Sequence, residues 1–159
     1  MSMITIGQQR TAFASLFGTL AALKSVHKYM PGALQDEECP ALIMIPGDAD
    51  YSQEVNGAHE LAVVRQWTFR IAGQQGGIGD DTDAEATLDS LIDSVIQLLA
   101  SYQRVAITET PDIGRTFDLT LNGGGDAGLA TVTIADVDYA GTDITAFTQI
   151  EEQITPAWR

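Results

Sequence analysis

Apolar side chains recur through residues 82–101 at the spacing that lines one face of a helix: Leu88, Leu91, Ile92, Val95, Leu98 and Leu99. Asp89, Asp93 and Gln97 fall on the opposite side. The segment opens with Thr82 and Glu85, a T-x-x-E capping box in which hydroxyl and carboxylate each satisfy a free backbone N–H. Asp83 and Glu85 also sit where the helix dipole favours negative charge. Burying each large apolar side chain is worth roughly 1.5–3 kcal/mol. A face carrying six of them therefore demands a broad apolar partner. A second helix is predicted over residues 5–24. Its stripe is Phe13, Leu16, Phe17, Leu20 and Leu23, while Gln8, Gln9, Arg10 and Ser15 lie mostly off it. Thr5 with Gln8 forms another capping box, and Gly18 weakens the helix by about 1 kcal/mol relative to Ala.

The remaining pattern is that of strands. Residues 41–45 form a continuous apolar run between Pro40 and Pro46, which predicts a short buried strand. Residues 47–57 are polar and predict an exposed loop or hairpin tip. Residues 60–72 are the longest candidate, with Val63, Trp67, Phe69 and Ile71 facing one way and Val64, Gln66, Thr68 and Arg70 the other. Arg65 breaks the apolar side, so the first half of this strand is expected to project beyond the sheet. Residues 73–81 form a Gly-rich loop. Residues 102–108 predict an edge strand, and residues 110–115 a loop. Residues 116–121 alternate as a strand, and residues 122–126, Asn-Gly-Gly-Gly-Asp, supply a hairpin turn. Residues 129–139 are its return strand. Tyr139-Ala140-Gly141 interrupts it before a last strand at 142–150. Together these elements predict an α+β domain over residues 1–150, a mainly antiparallel sheet with two helices packed on one face, followed by a polar tail at 151–159.

Charge narrows the function classes. The chain has 159 residues, 22 acids and 8 Lys or Arg, giving a formal charge of -14. Binding to nucleic acid is driven by cations displacing counterions from phosphates, which so acidic a chain opposes. The same balance opposes an anionic membrane surface. It suits a surface that must stay non-adhesive beside DNA. Cys39 is the sole cysteine, so no intrachain disulfide forms. No signal peptide is read at the start, and the apolar part of residues 11–23 is too short to span a bilayer.

No motif names a reaction. The loop from Gly73 to Gly79 followed by a helix resembles a phosphate cradle in outline. It lacks the Lys-Ser or Lys-Thr of a Walker motif, Thr82 stands at the third glycine of G-x-G-x-x-G, and the surrounding acids repel phosphate. Asp80, Asp81, Asp83 and Glu85 offer carboxylates to a hard cation, although the EF-hand glycine and Glu positions are Ala86 and Ile92. A metal-dependent enzyme or small-ligand domain built on that acidic loop is the alternative reading. His27 and His59 lie in no metal-ligand spacing, and Ser52, Ser90 and Ser94 in no G-x-S-x-G elbow. Neither a cofactor nor a metal is implied. Arg65, Trp67, Arg70 and Trp158 are instead candidates for a subunit interface, because Arg and Trp are enriched at hot spots. For Trp67 the competing reading is a core residue, and for Trp158 a disordered chain end.

The order of elements and its punctuation resemble the tail terminator, or tail-completion, proteins of long-tailed bacteriophages. The matching residues are a helix leading to Tyr29-Met30-Pro31 and the proline-bounded run from Pro40 to Gly47. They continue with the strand over 60–72, the helix with Leu88-Asp89 near its start, and Tyr139-Ala140-Gly141 before the last strand. The resemblance implies a non-enzymatic virion protein, made in the host cytoplasm, whose copies close into a hexameric ring. That ring caps the tail tube, joins it to head and neck proteins, and lets DNA pass without specific binding. Another neck or tube subunit is the neighbouring alternative.

Overall fold

The computed structural model describes residues 4–55, 60–73, 81–107, 116–121 and 130–153. Helix α1 spans Ile6–Phe17 and helix α2 spans Asp81–Ser101. The strands are β1 (Ser25–His27), β2 (Ala41–Val55), β3 (Glu60–Ala72), β4 (Arg104–Ala106), β5 (Thr116–Leu121), β6 (Ala130–Ile134) and β7 (Val137–Gln153). They form one sheet in the order β1-β2-β3-β7-β5-β4, with β6 also paired to β7. Among the described residues β1 and β2 run parallel and the other pairs antiparallel.

The expected α+β layering, with two helices packed on one face of the sheet, is overturned. The chain is mostly β, and its sheet curls into a half-barrel. The physical reason lies in strand length and irregularity. β2, β3 and β7 run for 15, 13 and 17 residues, and strands that long accumulate twist. Register shifts in β2 between Pro46 and Ala49 and between Asp50 and Gln53 add bends. The curl encloses the main core. Phe13, Leu16 and Phe17 of α1 and Leu88, Leu91, Ile92, Val95 and Leu99 of α2 meet Trp67, Phe69, Ile71, Phe117, Leu119 and Ile144 there. Phe13 is its hub, edge-on to Trp67, Phe69 and Phe117 at centroid distances of 5.3, 4.9 and 5.3 Å. Such pairs add about 0.5–1.5 kcal/mol each beyond their burial.

A second cluster lies apart from the first: Leu34, Cys39, Ala41, Ile43, Ala72, Val132, Ile134 and Tyr139. It explains the unbroken apolar run at the start of β2. Leu42 and Met44 serve the main core while Ala41 and Ile43 serve the second, so this piece of strand is buried on both faces.

Several boundaries differ from the sequence expectation. α1 stops at Phe17, with Gly18 donating its N–H to the Ala14 carbonyl at 2.9 Å. Successive turns beyond it still bring Leu20 and Leu23 against the core. The capping box of Thr5 and Gln8 is formed, whereas the side chains of Thr82 and Glu85 lie outside the described ones. β2 does not end at Pro46 but continues to Val55. The Met44 carbonyl points away from β3, toward Arg10. Pro46, two residues on, therefore turns its missing N–H to the same outer side, where β1 has already ended opposite Ile43. Nor does β3 project beyond the sheet at Arg65, for it pairs with β2 and β7 out to Glu60.

The return strand and last strand are also divided elsewhere. A two-residue turn at Ala135 and Asp136, both with positive φ (52° and 65°), separates β6 from β7. β7 then runs straight through Tyr139-Ala140-Gly141 and ends at Gln153. Gly141 is opposite Ala72 on one side and Ala130 on the other. A Cβ there would collide with the Ile71 carbonyl oxygen and stand 2.9 Å from Val132 Cγ2. The glycine permits close approach rather than a break. The expected turn at 122–126 and the loops at 74–80 and 110–115 lie outside the described residues. Among the described residues no helix is long and apolar enough to cross a membrane.

Candidate functional site

The buried polar groups come first, because a buried polar side chain needs a stated partner. Gln9, expected on the polar side of its helix, is 2% exposed. Trp67 is fully buried and its Nε1–H lies 2.9 Å from Gln9 Oε1. An indole N–H only donates, which fixes the amide oxygen toward it. Thr148 Oγ1 donates to the same oxygen at 3.2 Å, with the Arg65 carbonyl as a second acceptor at 3.4 Å. One side chain of α1 thus ties β3 to β7 through the middle of the core.

These contacts divide the sequence-predicted interface residues. Trp67 is a core residue, so its indole is unavailable to a partner. Arg65 shares that face and is 8% exposed, its guanidinium reaching the Gly47 carbonyl at 3.5 Å. Arg70 points to the other face and grips Asp143 with two bonds, Nε to Oδ1 at 3.0 Å and Nη2 to Oδ2 at 3.1 Å. The two residues are direct cross-strand partners. The hydrogen bond to Asp143 raises the Arg70 pKa above its ordinary value; partial desolvation opposes it and the carboxylate charge adds to it. Trp158 lies outside the described residues. Of the three that are described, Arg65 and Trp67 share one face of β3 and Arg70 lies on the other.

A serine–histidine contact was not foreseen. Ser25 and His27, two apart on β1, approach at 3.1 Å between Oγ and Nε2. Ser25 Oγ also donates to the Glu38 carbonyl at 2.7 Å. A hydroxyl has one proton, and here the carbonyl takes it, so His27 Nε2 must be the donor to Ser25. In that arrangement the imidazole cannot act as the base that activates the serine. The contact staples β1 to the 3-10 turn at Asp36–Glu38.

The carboxylates offered to a cation fall outside the described side chains. Asp80 lies outside the described residues, as do the side chains of Asp81, Asp83 and Glu85. Among the described residues no three His, Cys, Asp or Glu side chains gather as metal ligands. An open groove of about 720 Å³ runs between the end of α2 and β4–β5, floored by Leu99, Leu119 and Leu121. Arg104 and Asp118 in its lining pair with each other at 3.0 Å.

The surface that remains is cationic and aromatic. Arg10, on α1, lies 4.3 Å from the ring centroid of Tyr29 and 5.6 Å from that of Trp67. Its Nη1 donates to the Lys28 carbonyl and to the Met44 carbonyl. Lys28 Nζ donates to Thr11 Oγ1 at 3.1 Å. Arg10 thereby links the buried indole to an exposed ring, for Tyr29 is 65% exposed and Met30 49%. The sequence held one sign of this patch, the Tyr29-Met30 pair just before Pro31; the role of Arg10 was hidden because α1 and residue 29 are distant along the chain. No protein-family model matches the chain, and no curated protein matches it.

Proposed function

We propose that this chain is a structural subunit of a long-tailed bacteriophage: a tail terminator whose copies form a ring, cap the tail tube and join it to the head. The observation that carries this reading is the contrast on its surface. A body with 14 surplus negative charges repels its own kind and repels DNA. Against that background Tyr29 and Met30 stand in water beside Arg10 and Lys28, cations with no carboxylate partner among the described residues. Exposed aromatic and thioether side chains next to Arg are the composition of a protein–protein hot spot. A repellent body with a local adhesive patch suits a subunit that must join selected neighbours and leave passing DNA alone.

The residues that carry the resemblance also have structural duties consistent with it. Pro40 precedes β2, Gly141 admits the close approach of β7 to β3, and Tyr139 Oη donates to the Leu34 carbonyl at 2.6 Å. Ring formation is tested by mass photometry and negative-stain imaging of the purified chain, alone and with tail tubes. Closed rings that seat on tube ends are expected. A chain that stays monomeric at every concentration and ignores tubes rules the reading out.

A further inference from the structure

We infer that the patch formed by Arg10, Lys28, Tyr29 and Met30, with exposed Lys24 just before β1, docks on the acidic outer face of α2, around Asp89 and Asp93, of a second copy of this chain. The inference rests on the ring reading and assigns its subunit contact. Carboxylates outnumber Lys and Arg by 22 to 8. Even so, none of Arg10, Lys24 and Lys28 has a carboxylate partner among the described residues. Arg10 spends its donors on main-chain carbonyls and Lys28 on a hydroxyl. Arg70 and Arg104, by contrast, are each paired with an aspartate of their own sheet. In so acidic a chain, a cluster of cations left without internal acids is suited to external ones.

The complementary surface is on the same molecule. Asp89 and Asp93 lie one helical turn apart on α2, both exposed, with no cation partner among the described residues. Two different patches that fit each other make a head-to-tail contact, the type that forms a ring where the rotation between neighbours closes and an open filament where it does not. Tyr29 and Met30 supply the apolar centre that charges alone lack. Duplex DNA is the less favoured ligand, because three clustered cations work against a net charge of -14.

The test uses two full-length variants, Lys28→Glu and Asp89→Lys/Asp93→Lys, measured singly and as an equimolar mixture by sedimentation velocity across a concentration series. Lys28→Glu cuts the charge of the three cations to a net of one and sets a carboxylate toward the α2 acids, and Asp89→Lys/Asp93→Lys sets lysines toward the patch, so the association midpoint of each should rise roughly tenfold or more. The mixture should reassemble, because the added carboxylate meets the added lysines while the unaltered patch meets the unaltered acids. Thermal melts matching the parent chain confirm folding; if Lys28→Glu melts early, Lys24→Glu at its exposed position replaces it. Rings that persist unchanged in both variants overturn this contact and leave the ring reading intact. Variants that dissociate but fail to reassemble on mixing overturn the pairing with α2. Duplex DNA that binds the parent chain and is released by Lys28→Glu, with rings unaffected, assigns the patch to nucleic acid and also overturns it. A parent chain that never leaves the monomer removes the ring reading itself.

Discussion

Trp67 carries a donor into the most apolar part of the molecule, and Gln9 is what answers it, at 2.9 Å. Replacing Gln9 by Leu keeps the bulk and removes the acceptor, leaving the indole N–H unsatisfied and Thr148 with only its longer bond to the Arg65 carbonyl. The expected cost is about 1–3 kcal/mol in urea unfolding, since a buried donor without a partner loses its hydration for nothing. Gln8→Leu, one residue away and tied only to the exposed cap, is the control. If both variants lose the same stability, the amide is not the tie described. Arg70 behaves differently, because its pair with Asp143 sits at the surface with side-chain exposures of 24% and 39%. Arg70→Ala should cost under about 1 kcal/mol. Its raised pKa also sets the pH window. The contribution is fully present below the ordinary arginine value and is lost only as pH rises through the higher folded value. The stability difference between parent and Arg70→Ala should therefore persist from neutral pH up to that folded value, which urea unfolding at a series of alkaline pH values checks.

Among the elements, α2 is the one whose facing was legible. Its six-residue apolar stripe is buried or half-buried, and Asp89, Asp93 and Gln97 are exposed. Leu91→Asp should therefore abolish cooperative unfolding, because it places an unpaired carboxylate in the core. Asp89→Lys should leave the melting midpoint nearly unchanged, and equal damage from both would mean the helix is rotated. The alternation of β3 was legible for the same reason: period and burial coincide there. What the pattern hid was the division of the late strands. The turn at Ala135-Asp136 lacks the Asn-Gly or Asp-Gly signature, so its positive φ values leave no mark in composition. Gly141 left a mark that invites the wrong reading, since a glycine within a strand signals either a break or a close approach. Gly141→Ala distinguishes them. A break tolerates a methyl group, whereas the approach to the Ile71 carbonyl does not, and a loss of about 3 kcal/mol or more is expected. Curvature was not legible at all. It arises from strand length and register shifts, and β2 was foreseen at a third of its length because Pro46 reads as a terminator unless its donorless nitrogen is known to face away from the paired strand.

Taken whole, the molecule sets a strong uniform charge against one small adhesive patch, and the balance between them makes a prediction about DNA. Non-specific binders hold duplex DNA with dissociation constants of about 10⁻⁴–10⁻⁶ M at physiological salt, and each phosphate neutralised steepens the salt dependence by about 0.9. Among the described residues Arg10, Lys24 and Lys28 pair with no carboxylate, and Arg10 and Lys28 are committed to neighbouring groups of the chain itself. The chain as a whole still carries 14 surplus negative charges, which raise the energy of a polyanion on approach. Assembly into a ring strengthens the effect, because the docked patch would cover the cations while the acids of every subunit add together. The expectation is that the assembled chain shifts no 30-base-pair duplex in a native gel at about 10 µM subunit, even at low salt where attraction to phosphate is strongest. Retention of the duplex under those conditions would mean that the cations face an open bore, and a ring of that kind would hold the DNA it is proposed to let pass.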